Sequence, residues 1–328
     1  MYKVLITNAV PQIALQSLAG IAEVIQGPAG GRLMSRETVL RHAPTLHGII
    51  NQAELTVDAE LLSVAPRLKV VANVAIGVNN LDLKLMEQRG VWATNVPDAF
   101  VASTADCAMA LMLNLLRGIN AADQYVRSGR WPNDGFQPGI WDGALLAGKT
   151  LGIIGYGRIG KAVARRAKAF DMRVIYHSSA TSADAKFRML DDLLTEADVV
   201  TLHTPLTAST HHLIDAKKLA QMKPNAFLIN MARGPVVHEQ ALVDALQDGK
   251  IAGAALDVFE FEPEVHPALL QMPNVCLTPH IGGGTRESRM AARHLCAENV
   301  AAVLQGERPI SPVNNPRGRP AARSGQKI

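Results

Sequence analysis

Three side chains suited to proton and anion chemistry stand just past apolar, strand-like runs in the second half of the chain. Arg233 lies in Asn230-Met231-Ala232-Arg233-Gly234, and Glu262 in Asp257-Val258-Phe259-Glu260-Phe261-Glu262-Pro263. His280 lies in Leu277-Thr278-Pro279-His280-Ile281-Gly282-Gly283-Gly284. A guanidinium fork can hold a carboxylate at two points and still polarise a neighbouring carbonyl. An imidazole moves a proton near neutral pH, and a carboxylate can tune it. A cation, a proton donor and a tuner of that donor are what reduction of a 2-keto acid needs. Singly, such an arginine is more often a surface cation and such a histidine a plain loop residue. Their shared place beyond strand C-termini, where open α/β sheets bind ligands, points to a site.

A second motif supplies the matching cofactor chemistry. Gly155-Tyr156-Gly157-Arg158-Ile159-Gly160 follows the buried-strand run Leu151-Gly152-Ile153-Ile154 and precedes the helical run Lys161–Ala167. A GxGxxG alone is a weak signal, but the strand–turn–helix setting is the one a dinucleotide needs. Gly155 permits the tight turn, Gly157 admits the pyrophosphate, and Gly160 lets the helix pack on the strand. The helix N-terminus then offers free N–H groups and a positive dipole end to the diphosphate.

The next strand should end in Asp or Glu to hold the adenosine ribose hydroxyls. It ends instead in His177-Ser178-Ser179. Hydroxyls and an imidazole can donate to a 2′-phosphate that a carboxylate would repel, so NADP(H) is favoured over NAD(H). No arginine is adjacent to clamp that phosphate; Lys186 and Arg188 are distant candidates.

Short apolar runs alternating with helical patterns position these motifs, which is the signature of parallel α/β architecture. The first part of the chain reads as strands near 3–7, 47–51, 68–71 and 91–94, with amphipathic stretches between them. A single long helix follows over about 102–128, a candidate bridge between domains. From Thr150 a second series has strands near 151–154, 173–176, 199–203, 226–230, 254–257 and 275–278. That is the number a full doubly wound dinucleotide sheet uses. A last helix over about 286–305 comes after this series is complete, so it can return to the first domain. The expected fold is two Rossmann-like domains: a doubly wound nucleotide-binding domain over 99–284, inserted in a smaller flavodoxin-like substrate domain over 1–98 and 285–315. A basic tail covers 316–328.

Bulk properties narrow the function. The 328 residues suit about two domains. The net charge of +4 is matched by Arg317, Arg319, Arg323 and Lys327 in the tail, leaving a body near neutrality and no case for nucleic acid. Three cysteines without CxxC spacing argue against a zinc site or disulfide framework and for a reducing compartment. His211 and His212 are adjacent, not at metal-ligand spacing, so no metal is expected. No apolar run approaches a membrane span and the start reads as a strand, so a cytoplasmic protein is expected.

The glycine loop, the Arg233 block, 257–263 and Thr278-Pro279-His280 together resemble the D-isomer-specific 2-hydroxyacid dehydrogenase family, over roughly Leu46 to Asn314. The resemblance implies that Arg233 binds the substrate carboxylate, His280 is the acid/base and Glu262 raises its basicity. It puts Asp257 beside the nicotinamide or in a supporting place behind the residues that touch the ligands, and His203-Thr204-Pro205 against the cofactor. Val74-Ala75-Ile76-Gly77-Val78-Asn79-Asn80-Leu81-Asp82 resembles the family's substrate loop, whose N–H groups near Ile76 and Gly77 would hold the carboxylate. Asn79 and Asp106 depart from the Asp and Glu that many members carry, and the glyoxylate/hydroxypyruvate reductase branch is the nearest in motifs. In that branch an aromatic resembling Trp141 reaches a neighbouring subunit's active site. The family is usually dimeric, with the long helix and the 131–146 loop at the interface.

The implied activity is NAD(P)H-dependent reduction of a small 2-keto acid to the D-2-hydroxy acid. Two alternatives stay open. One is a dinucleotide-sensing binding protein on the same fold; the other is a dehydrogenase for a different 2-hydroxy acid, such as 2-ketogluconate or phosphoglycerate.

Overall fold

The computed structural model describes residues 1–316, so the basic tail from 317 onward lies outside the described residues. The chain divides into two compact units, Met1–Phe100 with the segment from Thr285, and Val101–Gly284.

The first unit holds five parallel strands: β1 (Tyr2–Ile6), β2 (Ala22–Gln26), β3 (Gly48–Asn51), β4 (Val70–Asn73) and β5 (Trp92–Thr94). Their order, β2-β1-β3-β4-β5, is the flavodoxin-like one. Successive strand side chains point to opposite faces, and here both faces are covered, so the strands read as continuous apolar runs. Val4, Ile6, Ile50 and Val70 pack with Ala292, Cys296 and Val300 of the helix Arg286–Leu304. Leu5, Ile49 and Val71 pack on the other face with Leu61 and Met86. The last helix therefore belongs to the first unit's core. Thr285 starts it by accepting the Ser288 N–H at 3.1 Å. Strand β2, absent from the strands expected above, is a half-exposed edge whose Glu23 and Gln26 face solvent.

The second unit holds six parallel strands: β6 (Thr150–Ile154), β7 (Arg173–His177), β8 (Val199–Leu202), β9 (Phe227–Asn230), β10 (Gly253–Leu256) and β11 (Val275–Leu277). Their order is β11-β10-β9-β8-β6-β7. Outside β7 a single parallel bridge pairs Tyr176 with Phe187. The Tyr176 N–H donates to the Lys186 carbonyl at 2.9 Å, and the Arg188 N–H to the Tyr176 carbonyl at 2.8 Å. Counting that bridge as a reduced third strand gives the order 3-2-1-4-5-6 of a dinucleotide sheet, extended by β11. The chain reverses its winding between β6 and β8, and the C-terminal edge there is where such sheets bind ligands.

The single helix expected over 102–128 is two helices, Val101–Arg117 and Ile119–Arg127. Gly118 separates them at φ 62, a left-handed value that glycine adopts freely and that interrupts the helical hydrogen-bond ladder. Among the described residues no helix is long and apolar enough to cross a membrane.

Candidate active site

The loop between β6 and the helix Arg158–Ala169 has the geometry of a diphosphate cradle. Gly155 sits at φ 96, where any side chain would also collide with the His203 backbone at 2.6 Å. A Cβ on Gly160 would stand 2.2 Å from the Gly155 carbonyl oxygen, so the helix seats directly on the turn. A Cβ on Gly157 meets nothing within 4 Å, which leaves open space on the side a ligand would approach. The helix has no side-chain cap and no acidic residue in its first turn. Its first N–H groups and dipole are thus available to an anion, and the loop fits a dinucleotide. Tyr156 stacks on Tyr176 with ring centroids 3.8 Å apart, tying the loop to β7.

Arg233, Glu262 and His280 follow β9, β10 and β11, three neighbouring strands, at the same edge of the sheet. Asn230 shapes the first turn: its side chain accepts the Ala232 N–H at 3.0 Å and donates to the Arg233 carbonyl at 3.1 Å. Gly234 then packs so closely that a Cβ would lie 1.7 Å from the Phe259 carbonyl oxygen. Only glycine lets the loops bearing Arg233 and Glu262 meet. Both residues line one open surface cavity of about 550 Å³, with Leu206, Phe259 and Phe261 on its walls; His280 stands outside that lining.

His280 Nδ1 lies 3.0 Å from Glu262 Oε2. An ionised carboxylate only accepts, so Nδ1 carries the proton and Nε2 is the ring nitrogen left to act on a ligand. Burial resists ionisation of Glu262, but the hydrogen bond and charge of His280, the Phe259 N–H at 3.0 Å and the charge of Arg233 outweigh it. The carboxyl is held below the usual range. Burial lowers the pKa of Arg233 while the charge of Glu262 opposes it; a guanidinium starts so high that it remains charged. Its Nη1 donates to the Ala232 carbonyl at 2.7 Å.

His280 has φ 52, a left-handed value uncommon outside glycine. Asp257, 2% exposed, holds that turn. Its carboxylate accepts from Thr278 Oγ1 at 2.7 Å and from the N–H groups of Ile281 and Gly282, both at 2.8 Å. Its carbonyl accepts the His280 N–H at 2.9 Å. Asp257 is thereby a support for the histidine turn.

The other sequence-selected residues fall in several places. His177 Nδ1 is 3.0 Å from the Arg188 carbonyl, and Ser178 Oγ donates to the Ala180 carbonyl at 2.8 Å; Ser179 is exposed. Arg188 is no phosphate clamp, because its guanidinium is already engaged by Glu196 at 2.6 Å. His203 flanks Gly155 through its backbone, and Pro205 follows in an exposed loop. The His203 ring is paired with Thr201 Oγ1 at 3.0 Å, and burial pushes its pKa down to about 3, so it is neutral.

In the first unit the Ile76 carbonyl accepts from Asn95 Nδ2 at 2.7 Å and the Gly77 carbonyl from Asn73 Nδ2 at 3.2 Å. Among the described residues neither N–H of Ile76 or Gly77 has a protein acceptor. Asn80, paired with Asn73 at 2.7 Å and with the Leu55 carbonyl at 2.9 Å, locks the base of this loop. Trp141 lines a different cavity of the second unit, beside Arg117 and Phe170, and packs on Tyr125 at 5.1 Å. Among the described residues no cluster of three or more His, Cys, Asp or Glu is placed to hold a metal ion.

Known proteins resemble this chain along nearly its whole length. The sequence model described as "D-isomer specific 2-hydroxyacid dehydrogenase, NAD binding domain" matches residues 109–282. A glyoxylate reductase of Thermococcus onnurineus is 42% identical over 320 residues, spanning 95% of this chain and 96% of its own. A crystal structure of a Thermus thermophilus protein superposes with a TM-score of 0.90 at 40% identity, covering 95% of this chain and 99% of that one. An NADPH-dependent glyoxylate/hydroxypyruvate reductase of Sinorhizobium meliloti, in complex with NADP and malonate, gives a TM-score of 0.83 at 34% identity, covering 95% and 96%. With a glycine cradle for a dinucleotide, a histidine–carboxylate pair beside a half-buried arginine, and likeness along nearly the whole chain, the protein belongs to the D-isomer-specific 2-hydroxyacid dehydrogenase family.

Proposed function

We propose that the chain reduces a small 2-keto acid of the glyoxylate or hydroxypyruvate kind to the D-2-hydroxy acid, using a nicotinamide dinucleotide. The observation that carries this reading is the Glu262–His280 pair at 3.0 Å beside Arg233, on the same strand edge as the glycine cradle. The bound dinucleotide supplies a hydride to the keto carbon. Arg233 holds the substrate carboxylate. His280, entering the step protonated on both ring nitrogens, delivers the Nε2 proton to the keto oxygen and is left with its Nδ1 proton, and Glu262 accepts from Nδ1, orienting the ring and stabilising its charged form.

NADPH is the preferred form in this reading. β7 ends in His177, Ser178 and Ser179 rather than in a carboxylate that would repel a 2′-phosphate, which supports this choice. A steady-state panel of 2-keto acids, each run with NADPH and NADH, tests both points. Glyoxylate or hydroxypyruvate should give the highest kcat/KM, with the lower KM for NADPH. A clear NADH preference removes the cofactor assignment, and activity confined to bulkier keto acids removes the substrate assignment.

A homodimer joined through the 131–146 loop is part of the same reading. Trp131, Phe136, Ile140 and Leu145 are 51%, 85%, 62% and 73% exposed, more apolar surface than one short loop ordinarily leaves to water. Trp141 would then serve the partner's site. A monomer in sedimentation at assay concentration would rule this out.

A further inference from the structure

We propose that Glu239 is a positioning residue for the reaction: with Glu260 it forms a clasp that holds Glu262 in register with His280. This rests on the assignment of Glu262 and His280 made above. Glu239 opens the helix Glu239–Gln247 and is 6% exposed, yet among the described residues it has no ion-pair partner. A charge so placed is costly unless backbone donors satisfy it. They do: Oε2 accepts the Glu260 N–H at 3.0 Å, and Oε1 accepts the His266 N–H at 3.2 Å. One carboxylate therefore pins both ends of the segment that carries Glu262.

Glu260 returns the contact. Its Oε2 accepts the Glu239 N–H at 2.8 Å, a donor at the helix start that lacks an intrahelical acceptor. Its Oε1 lies 2.5 Å from His212 Nε2, and His212 is itself held at φ 51. Between the pinned ends, Glu262 curls back so that Oε1 takes the Phe259 N–H while Oε2 reaches His280. Without the Glu239 carboxylate two backbone donors lose their acceptor, and the Glu260–His266 span loses a group that ties its two ends together. A displacement of about 1 Å at a catalytic group can cost about 100-fold in rate.

The clasp needs two acceptor oxygens, and glutamine keeps only one. Glu239→Ala should lower kcat about 10- to 100-fold, with dissociation of NADPH and KM for the keto acid nearly unchanged. Glu239→Gln should fall between wild type and Glu239→Ala. The decisive arm is a double-mutant cycle with Glu262→Gln. If Glu239 acts through Glu262, adding Glu239→Ala to Glu262→Gln costs no further kcat. Losses that multiply, or wild-type kcat in a folded Glu239→Gln, would overturn the clasp while leaving the site assignment standing. Wild-type turnover in Glu262→Gln alone would instead overturn that assignment, and the clasp with it.

Discussion

His280→Ala should lower kcat by about 100- to 10,000-fold, the range expected when a positioned general acid is removed, while NADPH binds almost as before. Its only side-chain partner among the described hydrogen bonds is Glu262, and the side chain is 50% exposed, so the core loses little. The backbone at φ 52 complicates alanine, which tolerates that conformation poorly. His280→Asn separates the two effects, since asparagine accepts left-handed backbone but cannot transfer the proton. Both variants should lose turnover alike. Fluorescence titration with NADPH checks that the dinucleotide still binds. Turnover near wild type in either variant would end the proposed role of the imidazole.

Arg233→Ala should depress kcat/KM about 30- to 4,000-fold. That follows from about 2–5 kcal/mol for truncating one partner of a buried, hydrogen-bonded charge pair, at about 1.4 kcal/mol per factor of ten. Arg233→Lys should recover only part of the loss, because an ammonium cannot grip a carboxylate in two-point fashion and polarise the carbonyl too. The loss should appear in KM for the keto acid as well as in kcat, distinguishing it from the histidine variants. Steady-state kinetics with glyoxylate measures both. An unchanged KM would move the carboxylate away from Arg233.

The parts of this site readable in the sequence are those whose signal is local. The glycine loop announces itself because strand, turn and helix are contiguous, and its glycines have surroundings such a turn requires: φ 96 at Gly155, open space at Gly157, a 2.2 Å collision at Gly160. Arg233, Glu262 and His280 are readable because each directly follows an apolar strand run. The partners of Asp257 and the clasp are not. Asp257 meets residues 21 to 25 positions away, and Glu239 meets Glu260 across 21, partnerships set by strand order rather than spacing. One faint signal is present in the first unit: Asn51 and Asn73 end adjacent strands in register and bond at 3.1 Å.

Local misreadings have equally local causes. The helix expected over 102–128 keeps its periodicity past Gly118, so the pattern hides a break that the glycine alone marks. Edge strand β2 lacks the continuous apolar run of its covered neighbours. The third strand of the dinucleotide sheet has shrunk to the Tyr176–Phe187 bridge, too short for any pattern to show.

The most direct test of the assigned reaction is the product formed from hydroxypyruvate and NADPH, followed at the nicotinamide absorbance band and resolved by enantiomer. The predicted result is decay of the band with stoichiometric D-glycerate and no L-glycerate. L or racemic product, or no decay with either hydroxypyruvate or glyoxylate, would contradict it.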